Sequence, residues 1–141
     1  MDVKFYHNAS DRLRAACAIT AKAVRQGRKV VVYAPEPGLA KRYDSLLWAA
    51  QPLSFVPHVA ASSPLAARTP VVMAQALNDL PYDDVLINLA DDLPDGYERF
   101  QLLVEIVAAD EAGRSAARAR WRFYKEHRHT VQAYDLTKTE S

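Results

Sequence analysis

Residues 29–34 read KVVVYA, an unbroken apolar run rich in β-branched residues. A strand with one wet face alternates polar and apolar residues. A run with no polar face belongs in a parallel strand covered on both sides. Such a strand demands helices above and below its sheet, and the flanking sequence supplies them. Val3 to His7 is a short β-rich stretch, after which Leu13, Ala16, Cys17, Thr20 and Val24 recur at helical spacing. Ser10 is the expected N-cap of this helix and Gly27 its stop. Beyond the apolar run, Pro35 and Pro37 open a second helix over Glu36–Ala50. Leu39, Tyr43, Leu46, Leu47 and Ala50 form its apolar face.

A proline-punctuated stretch follows, with Pro52, Pro57 and Pro64. Short apolar runs at Pro70–Met73 and Val85–Leu89 come next, then a strand over Leu102–Val107. A helix from Asp110 to about Lys125 and a last strand over Thr130–Leu136 complete the alternation. Strands alternating with helices predict a three-layer α/β domain around a largely parallel sheet. The 141 residues make one domain over 1–137, with no internal repeat and a disordered tail over 138–141.

The formal net charge is +1, so no global field recruits nucleic acid or a membrane, and any electrostatic contact must be local. The charge is unevenly spread. From Asp79 to Glu111, Arg99 is the sole basic residue among ten acids, whereas Arg114 to Arg128 holds six basic residues and one acid, Glu126. That polarity points to an acidic partner for one surface. Cys17 is the only cysteine, so neither a disulfide framework nor a thiolate metal cluster is expected, and its helical position makes it a core residue. The first residues, MDVKFYHNASD, lack a basic start followed by an apolar stretch, which predicts a cytoplasmic protein.

Enzyme chemistry finds little support. The four glycines, Gly27, Gly38, Gly96 and Gly113, are far apart, so neither a dinucleotide fingerprint nor a phosphate-cradling loop can be drawn. Asp91 and Asp92 follow the run VLINLA, where a magnesium-dependent site would sit in a parallel sheet. Capping of the turn before Pro94 is the plainer reading. His127 and His129 form an H-x-H pair among basic neighbours that repel a cation, which favours two exposed rings. No serine stands in a nucleophile elbow. No catalytic residue, metal or cofactor is expected.

Two surfaces look like contacts. On a wheel of the last helix, Ala109, Ala112, Ala116, Ala119 and Phe123 share one side, suited to packing on a sheet. Opposite them lie Arg114, Arg118, Trp121, Arg122 and Lys125. Like charges four residues apart repel, and no glutamate relieves them before Glu126. Guanidinium groups around a tryptophan suit an acidic peptide, including a C-terminal carboxylate. Single-stranded nucleic acid is the rival partner, and an ordinary solvated helix is the plain alternative. The second surface surrounds Trp48, which falls opposite the apolar stripe of its helix, followed by Phe55 and Val56 in QPLSFVPH. An outward tryptophan is a common interface anchor, and a lid formed by the following loop is the alternative.

Three stretches, GRKVVVYAPEP, LLWAAQPLSFVPH and ARARWRFYK, in this order and spacing, resemble the chi subunit family of DNA polymerase III. The likeness runs from VKFYH to YDLT. It implies a Rossmann-like domain with a largely parallel mixed sheet and no nucleotide-binding loop. It also implies an adaptor without an active site of its own, acting in DNA replication. Its expected partners are the psi subunit, through it the clamp loader, and the acidic C-terminal tail of single-stranded DNA-binding protein. The positions matching the family's tail contact are Val107, Arg114, Arg118, Trp121 and Arg122, the last two often tyrosine and lysine in relatives. Those matching the psi-facing surface are Trp48 and Phe55. The alternatives to an adaptor are a direct single-stranded DNA binder on the same helix and a helicase accessory protein. The latter rests on KVVVYAPEPGLAKRYDSLLW, which reads like the second motor domain of a helicase.

Overall fold

The computed structural model describes residues 1–50, 57–66 and 69–139, without the side chains of 48–50, 138 and 139. Seven strands form one sheet: β1 (Asp2–Ala9), β2 (Val30–Tyr33), β3 (His58–Ala60), β4 (Val71–Ala74), β5 (Val85–Asn88), β6 (Leu102–Ala108) and β7 (Thr130–Asp135). Their order across the sheet is β3-β4-β2-β5-β6-β1-β7. Every pairing is parallel, so the sheet is not mixed as the sequence reading had it. Each connection is a crossover that returns the chain to the same end of the sheet, which leaves no place for a hairpin. β3 lies in the proline-punctuated stretch, where no strand was expected, because three residues carry no readable period.

Helices α1 (Arg12–Arg25) and α2 (Pro37–Ala50) cover one face, and α3 (Glu111–Glu126) with a 3-10 turn at Tyr97–Arg99 covers the other. The strands divide their side chains accordingly. Val30, Val32, Ile87 and Val104 pack with Ala16, Cys17, Ala21, Tyr43 and Leu47. Val31, Leu86, Leu103, Val3 and Phe5 pack with Tyr97, Ala117 and Tyr124. Tyr43 is wholly buried, and its hydroxyl meets Thr20 Oγ1 at 2.5 Å while Thr20 donates to the Ala16 carbonyl at 2.7 Å. Asp11, not Ser10, caps α1, its carboxylate accepting from Arg14 N at 3.1 Å. A short helix, α4 (Leu136–Thr139), follows β7; Glu140 and Ser141 lie outside the described residues.

From β1 the chain crosses to β2, three places away, through α1. From β6 it crosses over β1 to β7 through α3 on the other face. Right-handed crossovers in opposite directions put their helices on opposite faces. At β6 and β1 the two paths cross on opposite faces of the sheet, and a crevice lined by Arg12, Asp91, Asp110 and Arg120 lies beyond the carboxyl end of β6.

Candidate functional site

Asp110 caps α3, its Oδ1 accepting from Gly113 N at 2.7 Å. The helix rests on the sheet through Ala117 and Tyr124. Phe5 of β1 meets the Trp121 ring at 5.2 Å and the Tyr124 ring at 5.7 Å between centroids. This seating is turned from the one read off the helical wheel: Ala112 and Ala119 are exposed, and Trp121 lies half-buried on the sheet side. A buried polar cluster explains the turn. Glu105 of β6 is fully buried, and its Oε2 accepts from Arg120 Nε at 2.9 Å, Tyr124 Oη at 2.5 Å and Asn88 Nδ2 at 3.3 Å. Arg120 also donates through Nη1 to the Asp91 carbonyl at 2.7 Å. Apolar periodicity cannot see an inward arginine, so the wheel followed the alanines instead.

Burial raises the Glu105 carboxyl above the usual carboxylate range, against the opposing pull of Arg120, Tyr124 and Asn88. Burial and the adjacent carboxylate push the Tyr124 phenol up as well. Across the crevice Arg12 donates from Nε to the Ile106 carbonyl at 2.9 Å, and desolvation lowers its affinity for its proton.

With α3 so seated, a cavity of about 220 Å³ opens between the helix and the β1–β7 end of the sheet. Phe5, Val107, Ala117, Trp121 and Ala133 give it an apolar lining, while Arg114 and Arg118 stand with His7 and Asn8 at its polar parts. Four of the five residues named from the sequence for the tail contact therefore meet at one place: Val107, Arg114, Arg118 and Trp121. Arg122 does not line the cavity. It is exposed one turn along, its Nε 3.4 Å from the Arg118 carbonyl. The Lys125 ammonium stands over the Trp121 ring at 5.6 Å from its centroid, and Arg118 forms an exposed ion pair with Glu111 at 3.5 Å. Phe5, Ala117 and Ala133 were not anticipated, because they come from three separate elements and carry no local signal. Trp48 falls in the last turn of α2, where its side chain is outside the description, and Phe55 lies outside the described residues.

Asp91 borders a second cavity of about 390 Å³ with Arg12, Asp110 and Arg120, where its carbonyl serves Arg120. His127 and His129 do not converge: Nδ1 of His127 donates to the Phe123 carbonyl at 2.8 Å, and Nε2 of His129 meets the Tyr97 hydroxyl at 3.0 Å. Among the described residues, no group of three or more His, Cys, Asp or Glu is placed to hold a metal ion. No helix among them is long and apolar enough to cross a membrane.

The architecture is that of a Rossmann-like three-layer domain. It superposes on the C-terminal domain of S. cerevisiae Dbp5, from a complex with Gle1 and IP6, with a TM-score of 0.57 over 93% of this chain and 88% of that one. At 10% identity this likeness speaks for the fold alone. The sequence narrows the class much further. The family model for the DNA polymerase III chi subunit, HolC, matches residues 1–132. DNA polymerase III subunit chi of Pseudomonas aeruginosa is 32% identical over 127 residues, covering 90% of this chain and 88% of that protein. The Haemophilus influenzae subunit is 31% identical over 123 residues, with 86% and 82% covered. The Escherichia coli subunit is 30% identical over 110 residues, with 77% and 75% covered. The chain belongs to the DNA polymerase III chi subunit family and is a replication subunit.

Proposed function

We propose that the chain is a non-catalytic adaptor that holds the acidic C-terminal tail of single-stranded DNA-binding protein while the psi subunit ties it to the clamp loader. The observation that carries this reading is the cavity beneath α3, apolar within and flanked by Arg114 and Arg118. Its volume, about 220 Å³, is below the roughly 300–1,000 Å³ of sites for drug-sized ligands, and suits one large apolar side chain. A terminal aromatic residue fills it, its free carboxylate meets a guanidinium, and preceding acids meet the outer cations. For the psi subunit the support is the resemblance that matches Trp48 and Phe55. Two contacts on one chain raise the local concentration of clamp loader near coated template, so a modest tail affinity suffices.

Calorimetric titration with an acidic peptide ending in Asp-Phe tests the tail contact. Saturable, salt-sensitive binding is expected, with loss on Arg118→Glu and on amidation of the peptide terminus. A folded protein that ignores the peptide at low salt, or binds the amidated form equally well, rejects it. Binding of bare oligonucleotide by the same helix would instead favour a direct single-strand binder.

A further inference from the structure

β7 is the outermost strand of the sheet, and among the described residues no strand pairs with its outer side. It pairs with β1 in unbroken register from Thr130↔Asp2 to Asp135↔His7, without a bulge. Thr130 N donates to the Met1 carbonyl at 3.1 Å. In a parallel ladder alternate residues turn their backbone groups to the same side. Thr130, Gln132 and Tyr134 thus serve β1, and Val131 and Ala133 turn their N–H and C=O groups outward. Proteins blunt such edges with lysine, proline, bulges or shortness. The opposite edge, β3, is only three residues long. β7 has six residues, TVQAYD, with no lysine, no proline and no bulge.

The open edge adjoins the cavity and the basic helix. Ala133 lines the cavity, and both Val131 and Ala133 are in register with Val3 and Phe5, whose side chains face α3. Arg118, Arg122 and Lys125 are exposed along α3. Arg118 and Arg122 are separated by about 6 Å along the axis. Alternate residues of a strand are about 6.6 Å apart and point to one face, so the two spacings agree to within about 1 Å. Arg114 and Arg118 sit at the cavity, and Arg122 and Lys125 lie further along α3, towards the Thr130 end of β7. Asp135 is the single acid of the strand, and its carboxylate accepts from Thr137 Oγ1 at 2.6 Å.

We propose that an acidic peptide whose last residue occupies the cavity adds to the open edge of β7 as an eighth, parallel strand, its alternate carboxylates facing Arg118 and Arg122. This rests on the reading of the cavity as a tail site, and deepens it: recognition extends from one side chain and one carboxylate to the peptide backbone.

The test leaves the protein unaltered. Amide exchange of the full chain is followed by NMR with and without a saturating decapeptide of acidic residues ending in Asp-Phe. The amides of Val131 and Ala133 are expected to slow by tenfold or more, while those of Gln132 and Tyr134, already bonded to β1, change little. In parallel, peptides N-methylated at every second amide are titrated. One set should lose about tenfold or more in affinity, and the set methylated on the other amides should keep it. If the parent peptide binds while both methylated sets bind equally and the outward amides are unaffected, strand addition is wrong and the cavity reading survives. If the parent peptide does not bind, both fail. Outward amides already protected without peptide, in a protein that sediments as a dimer, would show the edge closed by a second copy and overturn the proposal.

Discussion

Replacing Glu105 by glutamine keeps its size and removes its charge. In the folded chain this side chain is fully buried and accepts from three donors, Arg120, Tyr124 and Asn88. A glutamine can turn its oxygen to only some of them and presents an NH2 group to the rest. The Arg120 side chain, 11% exposed, is left with its charge uncompensated. Breaking a buried ion pair from one side costs about 3–5 kcal/mol. For a domain of this size each kcal/mol lowers Tm by roughly 2–4 °C, so the fall should be about 6–20 °C in calorimetry. The pH profile should change as well. Glu105 is held above the usual carboxylate range in the fold, so the folded state keeps this proton better than the unfolded one. Its contribution is fully present below the ordinary glutamate pKa and is lost as pH rises through the folded value. Glu105→Gln should remove that slope. A double-mutant cycle with Arg120→Met should give a coupling of about 1 kcal/mol or more. A loss under about 1 kcal/mol for Glu105→Gln, or singles that simply add, would refute the picture of one coupled buried unit.

Two helix ends predict opposite responses to glycine. Both α1 and α3 close with paired bonds around a left-handed residue. Arg28 N reaches the Ala23 carbonyl past Gly27 (φ +78°), and His129 N reaches the Tyr124 carbonyl past Arg128 (φ +63°). Gly27→Ala should cost about 1 kcal/mol in urea unfolding, whereas Arg128→Gly should be neutral or stabilising by up to about 1 kcal/mol; a loss on the latter would show that Arg128 is held by more than its backbone. Cys17 is 2% exposed, and burial lifts its thiol to about 11. At pH 8 a thiol reagent should modify the native protein only at the rate at which it opens, while the urea-unfolded chain reacts at once; equal rates would place Cys17 at the surface.

The fold was legible where apolar runs were long. KVVVYA announced a central strand, since a covered parallel strand leaves a compositional mark, and β1, β5, β6 and β7 each fell on the run named for it. β3 was missed because three residues leave none. The basic row of α3 was legible because repulsion along a helix is a pattern in charge. The cavity beside it was not, since Phe5 and Ala133 join it only once β1 and β7 are neighbours. Least legible was the rotation of α3. Its small residues, Ala112, Ala116 and Ala119, make a better apolar stripe in sequence than the face through Ala117 and Tyr124 that is buried.

That misreading points to what Arg120 does. Buried ion pairs add little net stability over apolar replacements, so the Glu105–Arg120 contact is poorly explained as a stabiliser. It is better explained as a choice between two seatings of one helix. The face through Ala116 and the face through Ala117 differ by one residue, about 100° around the axis. Seated on the alanine stripe, α3 would carry Trp121 off Phe5 and out of the cavity, and the arginine row away from β7. An inward arginine facing a buried carboxylate excludes that seating, because both charges would be stranded. Glu105→Leu with Arg120→Met should therefore leave the fold about as stable as before, or more so, yet free the helix to rotate. In a Trp48→Phe background the emission of Trp121 should shift to the red, and affinity for the acidic peptide should fall although no peptide-facing residue has changed. Unchanged emission and affinity in a stable double variant would mean that Tyr124 and Phe5 seat the helix unaided.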